Sequence, residues 1–202
     1  MKDVVLPAAH QAWHARERDG DCQAGFESIA VDIAAGSFTK PKSGQKALLY
    51  KYCTLGHNLA LNGIAIIENG RVVTHVVYEG SEDHALGALP DIDGNGLSEI
   101  LLATGGTNQG ITWGTISILE LSGSGITRFG QTGTLSDDCG TNETSCKMTA
   151  NRISVKVGSP PAFYREVFVD HGARSGAGAW KKSGGLAPIS LDQDKIEYEL
   201  LK

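Results

Sequence analysis

Long apolar runs are missing from this chain of 202 residues; stretches such as Ile64–Ile67 and Ile100–Ala103 are only four residues long. A membrane-spanning helix needs roughly 18. An excess of positive charge is missing too. Lys plus Arg is 18 and Asp plus Glu is 23, so the formal net charge is 18 − 23 = −5. Such a balance gives no global attraction to phosphate backbones or anionic membranes. Aromatic residues make up only 6% and are not interleaved with basic ones, so the footprint of single-stranded nucleic-acid binding is absent. No cysteine pair has C-x-x-C spacing, which argues against a zinc ribbon or a thioredoxin-type site. No G-x-S-x-G elbow occurs. The glycine-rich stretch Thr104–Gly110 opens no helix and lacks the P-loop lysine, so it reads as a β-turn and not as a phosphate cradle.

What is present is globular. Apolar residues are 41% and charged residues 20%, and 202 residues suit one domain spanning 1–202. The 26 glycines are about twice average usage. They recur at the ends of short apolar runs, a pattern of many turns and therefore many strands. The expected fold is mainly β: about eleven antiparallel strands in hairpins and meanders, with one N-terminal helix. That helix is expected over 7–18, with a proline at its start and Asp19-Gly20 at its end.

Strands are expected at 27–34 and 46–53. The clearest hairpin runs over 63–78 around Asn69-Gly70, the preferred pair for a two-residue type I′ turn. It should set Glu68 opposite Arg71. Further strands are expected at 98–103, 111–121, 125–130, 152–157, 162–169, 186–191 and 195–201. In the last, Ile196, Tyr198 and Leu200 alternate with Glu197 and Glu199. Residues 172–185 read as a long glycine-rich loop.

Four cysteines, Cys22, Cys53, Cys139 and Cys146, make an even number. Cys139 and Cys146 bracket a polar stretch with no apolar residue to anchor it, so a disulfide there would tie down a surface loop. The expected pairs are Cys139–Cys146 and Cys22–Cys53, although four cysteines permit three connectivities and four free thiols are the alternative. The N-terminus has three consecutive apolar residues, Val4-Val5-Leu6, where a secretory leader needs about 7–15. The chain is then cytoplasmic, or a mature secreted or periplasmic form. Disulfides favour the second reading. Asn142-Glu143-Thr144 is a glycosylation sequon, relevant only in a eukaryotic secretory host.

One segment carries sharp chemistry. Residues 91–99 read Asp-Ile-Asp-Gly-Asn-Gly-Leu-Ser-Glu. Oxygen-bearing side chains fall at loop positions 1, 3, 5 and 9, namely Asp91, Asp93, Asn95 and Glu99. Gly96 occupies position 6, where a sharp turn is needed, and Leu97 at position 7 can offer its carbonyl. This spacing wraps a short loop around Ca²⁺, a hard cation that takes six to eight oxygens. Three carboxylates within nine residues would repel one another without a counter-ion, and the loop has no Lys or Arg. An EF-hand is not matched, because position 12 is Leu102 and an apolar strand follows at once.

The combination of this loop with an immediate strand resembles the FG-GAP/VCBS family of calcium-loop repeats, found in integrin-like propellers and many secreted bacterial proteins. The resemblance covers 86–104 and, faintly, 35–49. It implies that the position-9 carboxylate is a ligand and that the domain is a binding or interaction module with structural calcium. Eleven strands make fewer than three four-stranded blades, and a propeller needs about four. The chain is therefore a sandwich or open barrel carrying the unit, or a piece of something larger. The faint copy aligns Gly36–Leu49 with Gly87–Leu102 at an offset of about 51 residues and one gap. Its loop has no carboxylates, so only the second copy suits a metal.

Other features weigh less. His10 and His14 share a helix face as half of a zinc site, with Trp13 packing the helix onto the sheet. Asp170, His171 and Ser175 are the centre of the alternative reading, a small secreted hydrolase. His75 reads as a half-buried strand residue. Trp113, Trp180, Phe163 and Tyr164 suit a contact surface for a protein or carbohydrate partner, with core packing as the commoner fate.

Overall fold

The computed structural model describes residues 5, 7–11, 22, 29–56, 59–81, 83–122, 125–141, 146–170, 180–193 and 196–201. Among these are a short N-terminal helix, whose described part lies at 5 and 7–11, and twelve strands. The strands are β1 (Ile29–Gly36), β2 (Gln45–Gly56), β3 (Leu59–Glu68), β4 (Arg71–Ser81), β5 (Asp83–Leu89) and β6 (Glu99–Asn108), then β7 (Ile111–Ser122), β8 (Gly125–Asp137), β9 (Met148–Lys156), β10 (Ala162–Asp170), β11 (Lys181–Ile189) and β12 (Glu199–Leu201). The fold is mainly β, with antiparallel strands in two sheets, one of them curled into a half-barrel. The first sheet runs β1-β2-β3-β4-β12 and the second β11-β10-β9-β8-β7-β6-β5. No helix among the described residues is long and apolar enough to cross a membrane.

The continuous apolar runs of β2 and β3 have a physical reason. These strands are buried on both faces, so alternation disappears. Ala47, Leu49, Ile64 and Ile66 join Val76 and Tyr78 of β4 in the main core, where they meet Leu86, Ile100, Leu102, Leu119 and Leu121 of the second sheet. Leu48, Tyr50 and Ala65 point the other way, into a smaller cluster closed by Val5 and Ala9 of the N-terminal helix. The cysteines pair as Cys22–Cys53, with Cα atoms 5.6 Å apart, and Cys139–Cys146, with Cα atoms 4.5 Å apart. The sheets are joined where Asp32 of β1 accepts a 2.9 Å hydrogen bond from the Leu86 N–H of β5.

The 63–78 hairpin forms as expected. Asn69 and Gly70 both have positive φ, 49° and 76°, and Glu68 faces Arg71. Four expectations change. Twelve strands replace eleven, because β5 is short and its Gly87 interrupts any apolar pattern. The glycine-rich stretch from Thr104 belongs to β6 as far as Asn108, and the turn falls at Gln109-Gly110. Within the strand, glycine is required at position 105, where a Cβ would lie 2.8 Å from the Trp113 carbonyl oxygen. Residues 181–185, expected in a loop, extend β11, whose Lys181 and Lys182 pair with Val169 and Phe168; 172–179 lie outside the described residues. Of the expected strand 195–201, only Glu199–Leu201 pairs, although Ile196, Tyr198 and Leu200 do alternate inward onto the main core.

The loops before β2 and β6 share one hydrogen-bond arrangement, at an offset other than that of the sequence alignment. The Phe38 N–H donates to the side chain of Gln45, seven residues on, and the Ile92 N–H donates to Glu99, again seven residues on. Phe38 and Ile92 are both fully buried. The matching offset is 92 − 38 = 54 residues, rather than about 51.

Candidate metal centre

The loop between β5 and β6 is shaped by its own carboxylates. Asp91 Oδ1 accepts from the backbone N–H of Gly94 (2.7 Å) and Asn95 (3.1 Å), and its Oδ2 from Gly96 (2.7 Å). Asp side chains fold turns in this way by replacing backbone acceptors. Gly94 and Gly96 both have φ near +90°, where a side chain would be strained. Asp93 Oδ1 accepts from Asn95 N–H at 3.1 Å, and Asn95 Oδ1 from Leu97 N–H at 2.8 Å.

Three anchors hold the loop in place. Ile92 is buried against Ile118 and Phe163, and its carbonyl accepts from Gly158 N–H at 3.0 Å in the turn between β9 and β10. Ser98 N–H donates to the Ser37 carbonyl (2.9 Å), while Ser37 N–H donates to Ser98 Oγ (3.1 Å). A Cβ on Gly96 would lie 3.2 Å from Pro41, so the loops before β2 and β6 are in close contact.

Within this frame Asp91, Asp93 and Glu99 each offer a carboxylate oxygen within 4.8 Å of the others. Glu99 opens β6 with 0% exposure, and both its oxygens lie 3.2 Å from the single Ile92 N–H. Asn95 stands beside the cluster, its Nδ2 donating to Asp93 Oδ2 (3.2 Å) and to Glu120 Oε2 (2.5 Å). Leu97 is buried next to it.

Glu120 of β7, only 4% exposed, is the group that loop spacing does not reveal. Its signal was a lone carboxylate inside the apolar run Ile118-Leu119-Glu120-Leu121. Among the described residues, the hydrogen-bond donors to these four carboxylates are backbone N–H groups and the Asn95 amide; none is Lys or Arg.

The electrostatics follow from that. Burial pushes the Glu99 carboxyl up to about 7, helped by the charges of Glu120 and Asp93 and opposed by the Ile92 N–H. Burial also raises Glu120, as do Asp93 and Asp91, against the Asn95 amide. At Asp91 burial pulls upward, but the combined backbone N–H bonds hold the carboxyl below its usual range. A cation at the cluster would relieve the mutual repulsion of these groups, and an all-oxygen donor set suits a hard one.

Of the other candidate groups, single members lie among the described residues. His10 is exposed, with its Nδ1 3.2 Å from Tyr52 Oη, while Trp13 and His14 lie outside the described residues. Asp170 is buried at the end of β10, and His171 and Ser175 lie outside the described residues. His75, expected half-buried, is 5% exposed and hydrogen-bonded to Tyr50 Oη. Of the four aromatics considered for a contact surface, Phe163 is in the core, Trp113 and Tyr164 are half-buried, and Trp180 is exposed. No family model, no curated protein and no solved structure matches this chain.

Proposed function

We propose that the domain binds one Ca²⁺ in the Asp91–Glu99 loop and acts outside the cytoplasm, secreted or periplasmic, as a binding or interaction module for a protein or carbohydrate partner. The ligands are Asp91, Asp93, Asn95, Glu99 and the Leu97 carbonyl, and the ion is structural. One observation carries the metal reading: three carboxylates of one short loop converge within 4.8 Å, with a fourth, Glu120, buried close by, and no basic side chain among the described residues answers them. As Asn95 presents its Nδ2 to Asp93 and Glu120, its use as an oxygen ligand requires the amide to turn. The FG-GAP/VCBS resemblance supports the choice of calcium and the interaction role, and the two cysteine pairs support an oxidising compartment.

A structural ion here would do more than settle one loop. The anchors lead to the β1–β2 loop, the β9–β10 turn and β7, so the loop lies where both sheets meet. The test is a thermal melt in excess CaCl₂ and in EDTA, for wild type and Asp91→Ala. A calcium-dependent rise that the variant loses supports the site; no shift at tens of millimolar calcium overturns it. The partner class is tested separately by a glycan screen with a Trp180→Ala control.

A further inference from the structure

We draw no further inference here: the strongest candidate, the buried Glu99–Glu120 pair behind the β5–β6 loop, belongs to the site already described.

Discussion

The loops before β2 and β6 solve one structural problem with opposite chemistry. Each buries an apolar residue, Phe38 or Ile92, and binds that residue's N–H with the side chain that opens the next strand. In the first loop that side chain is Gln45. Its Oε1 accepts from Phe38 and Thr39 N–H at 3.0 Å each, and its Nε2 donates to Thr39 Oγ1 at 2.8 Å, so a neutral amide is satisfied on both ends. In the second loop it is Glu99, whose two oxygens meet backbone N–H groups, those of Ile92 and of Glu99 itself, and face the charges of Glu120 and Asp93. A neutral amide can therefore close a loop of this kind as a carboxylate does. Glu166 sharpens the contrast. It too is only 4% exposed, but Arg152 and Lys182 pair with it and hold its carboxyl below the usual range. This chain neutralises a buried glutamate with cations in one place and leaves that role open in another.

The largest expected effect comes from supplying the missing charge. Calcium at about 100 times its dissociation constant should stabilise the folded state by about 2.7 kcal/mol. For a domain of this size that raises Tm by roughly 5–10 °C. Extracellular calcium modules often bind with dissociation constants of about 10⁻⁴–10⁻³ M, so tens of millimolar CaCl₂ is the relevant range. Asp91→Ala should abolish the rise, whereas Gln45→Ala should lower Tm and keep it. If both variants respond to calcium as wild type does, the two loops do not differ in the way their charges suggest.

A pH series in EDTA tests the same difference without metal. The Glu99 carboxyl has a folded value near 7 against an ordinary 4.5. Between those values the folded state keeps a proton that the unfolded state has lost, so stability falls as pH rises through this window. The expected loss is about 2 kcal/mol, read as a lower urea midpoint at pH 8 than at pH 5. Calcium should reverse the trend, since it binds the deprotonated carboxylates. A flat profile would mean that Glu99 is not held as the buried, crowded acid described above.

Making the second loop chemically like the first should give a smaller gain. Glu99→Gln removes one buried charge and retains an acceptor for the Ile92 N–H, as Gln45 does for Phe38. At pH 8 in EDTA the variant should be about 1–2 kcal/mol more stable than wild type, with a weakened calcium response. A destabilised variant with normal calcium binding would show that the carboxylate serves the fold after all.

How much of this was legible in the sequence depends on distance along the chain. The Asn69-Gly70 hairpin, the Cys139–Cys146 pair and the cluster of Asp91, Asp93 and Glu99 each rest on residues whose spacing encodes a local geometry, whereas Cys22–Cys53, 31 residues apart, was one of several open pairings. What escaped is set by contacts across the fold. β5 has too weak a pattern to stand alone and exists because it pairs with β6 and packs on β1. β11 is exposed along nearly its whole length, so no apolar face announces it; only pairing with β10 makes it a strand. Glu120 reaches the loop from 25 residues away, through Asn95, and no loop motif includes it. The likeness of the two loops at an offset of 54 residues rests on hydrogen bonds to Gln45 and Glu99 that residue similarity does not show.

The smallest expected effect bears on whether the two loops are independent or act as one clasp. Ser98→Ala deletes the oxygen that accepts the Ser37 N–H and leaves the Ser98 N–H bond to the Ser37 carbonyl in place. The cost should be about 1 kcal/mol, the ordinary worth of one hydrogen bond. None of the proposed ligands is touched, so calcium should still raise Tm. Amide exchange then separates the cases. In wild type, calcium should slow exchange at Gly94–Gly96, whose N–H groups bond Asp91, and also at Ser37 and Gly158, which bond the loop's far ends. In Ser98→Ala the slowing should persist at Gly94–Gly96 and Gly158 and vanish at Ser37. If Ser37 stays unresponsive even in wild type while Gly94–Gly96 respond, the charged loop holds its ion without engaging its neutral counterpart. The bonds between Ser37 and Ser98 would then be a packing detail, and calcium would not act on the contact between the sheets at this point.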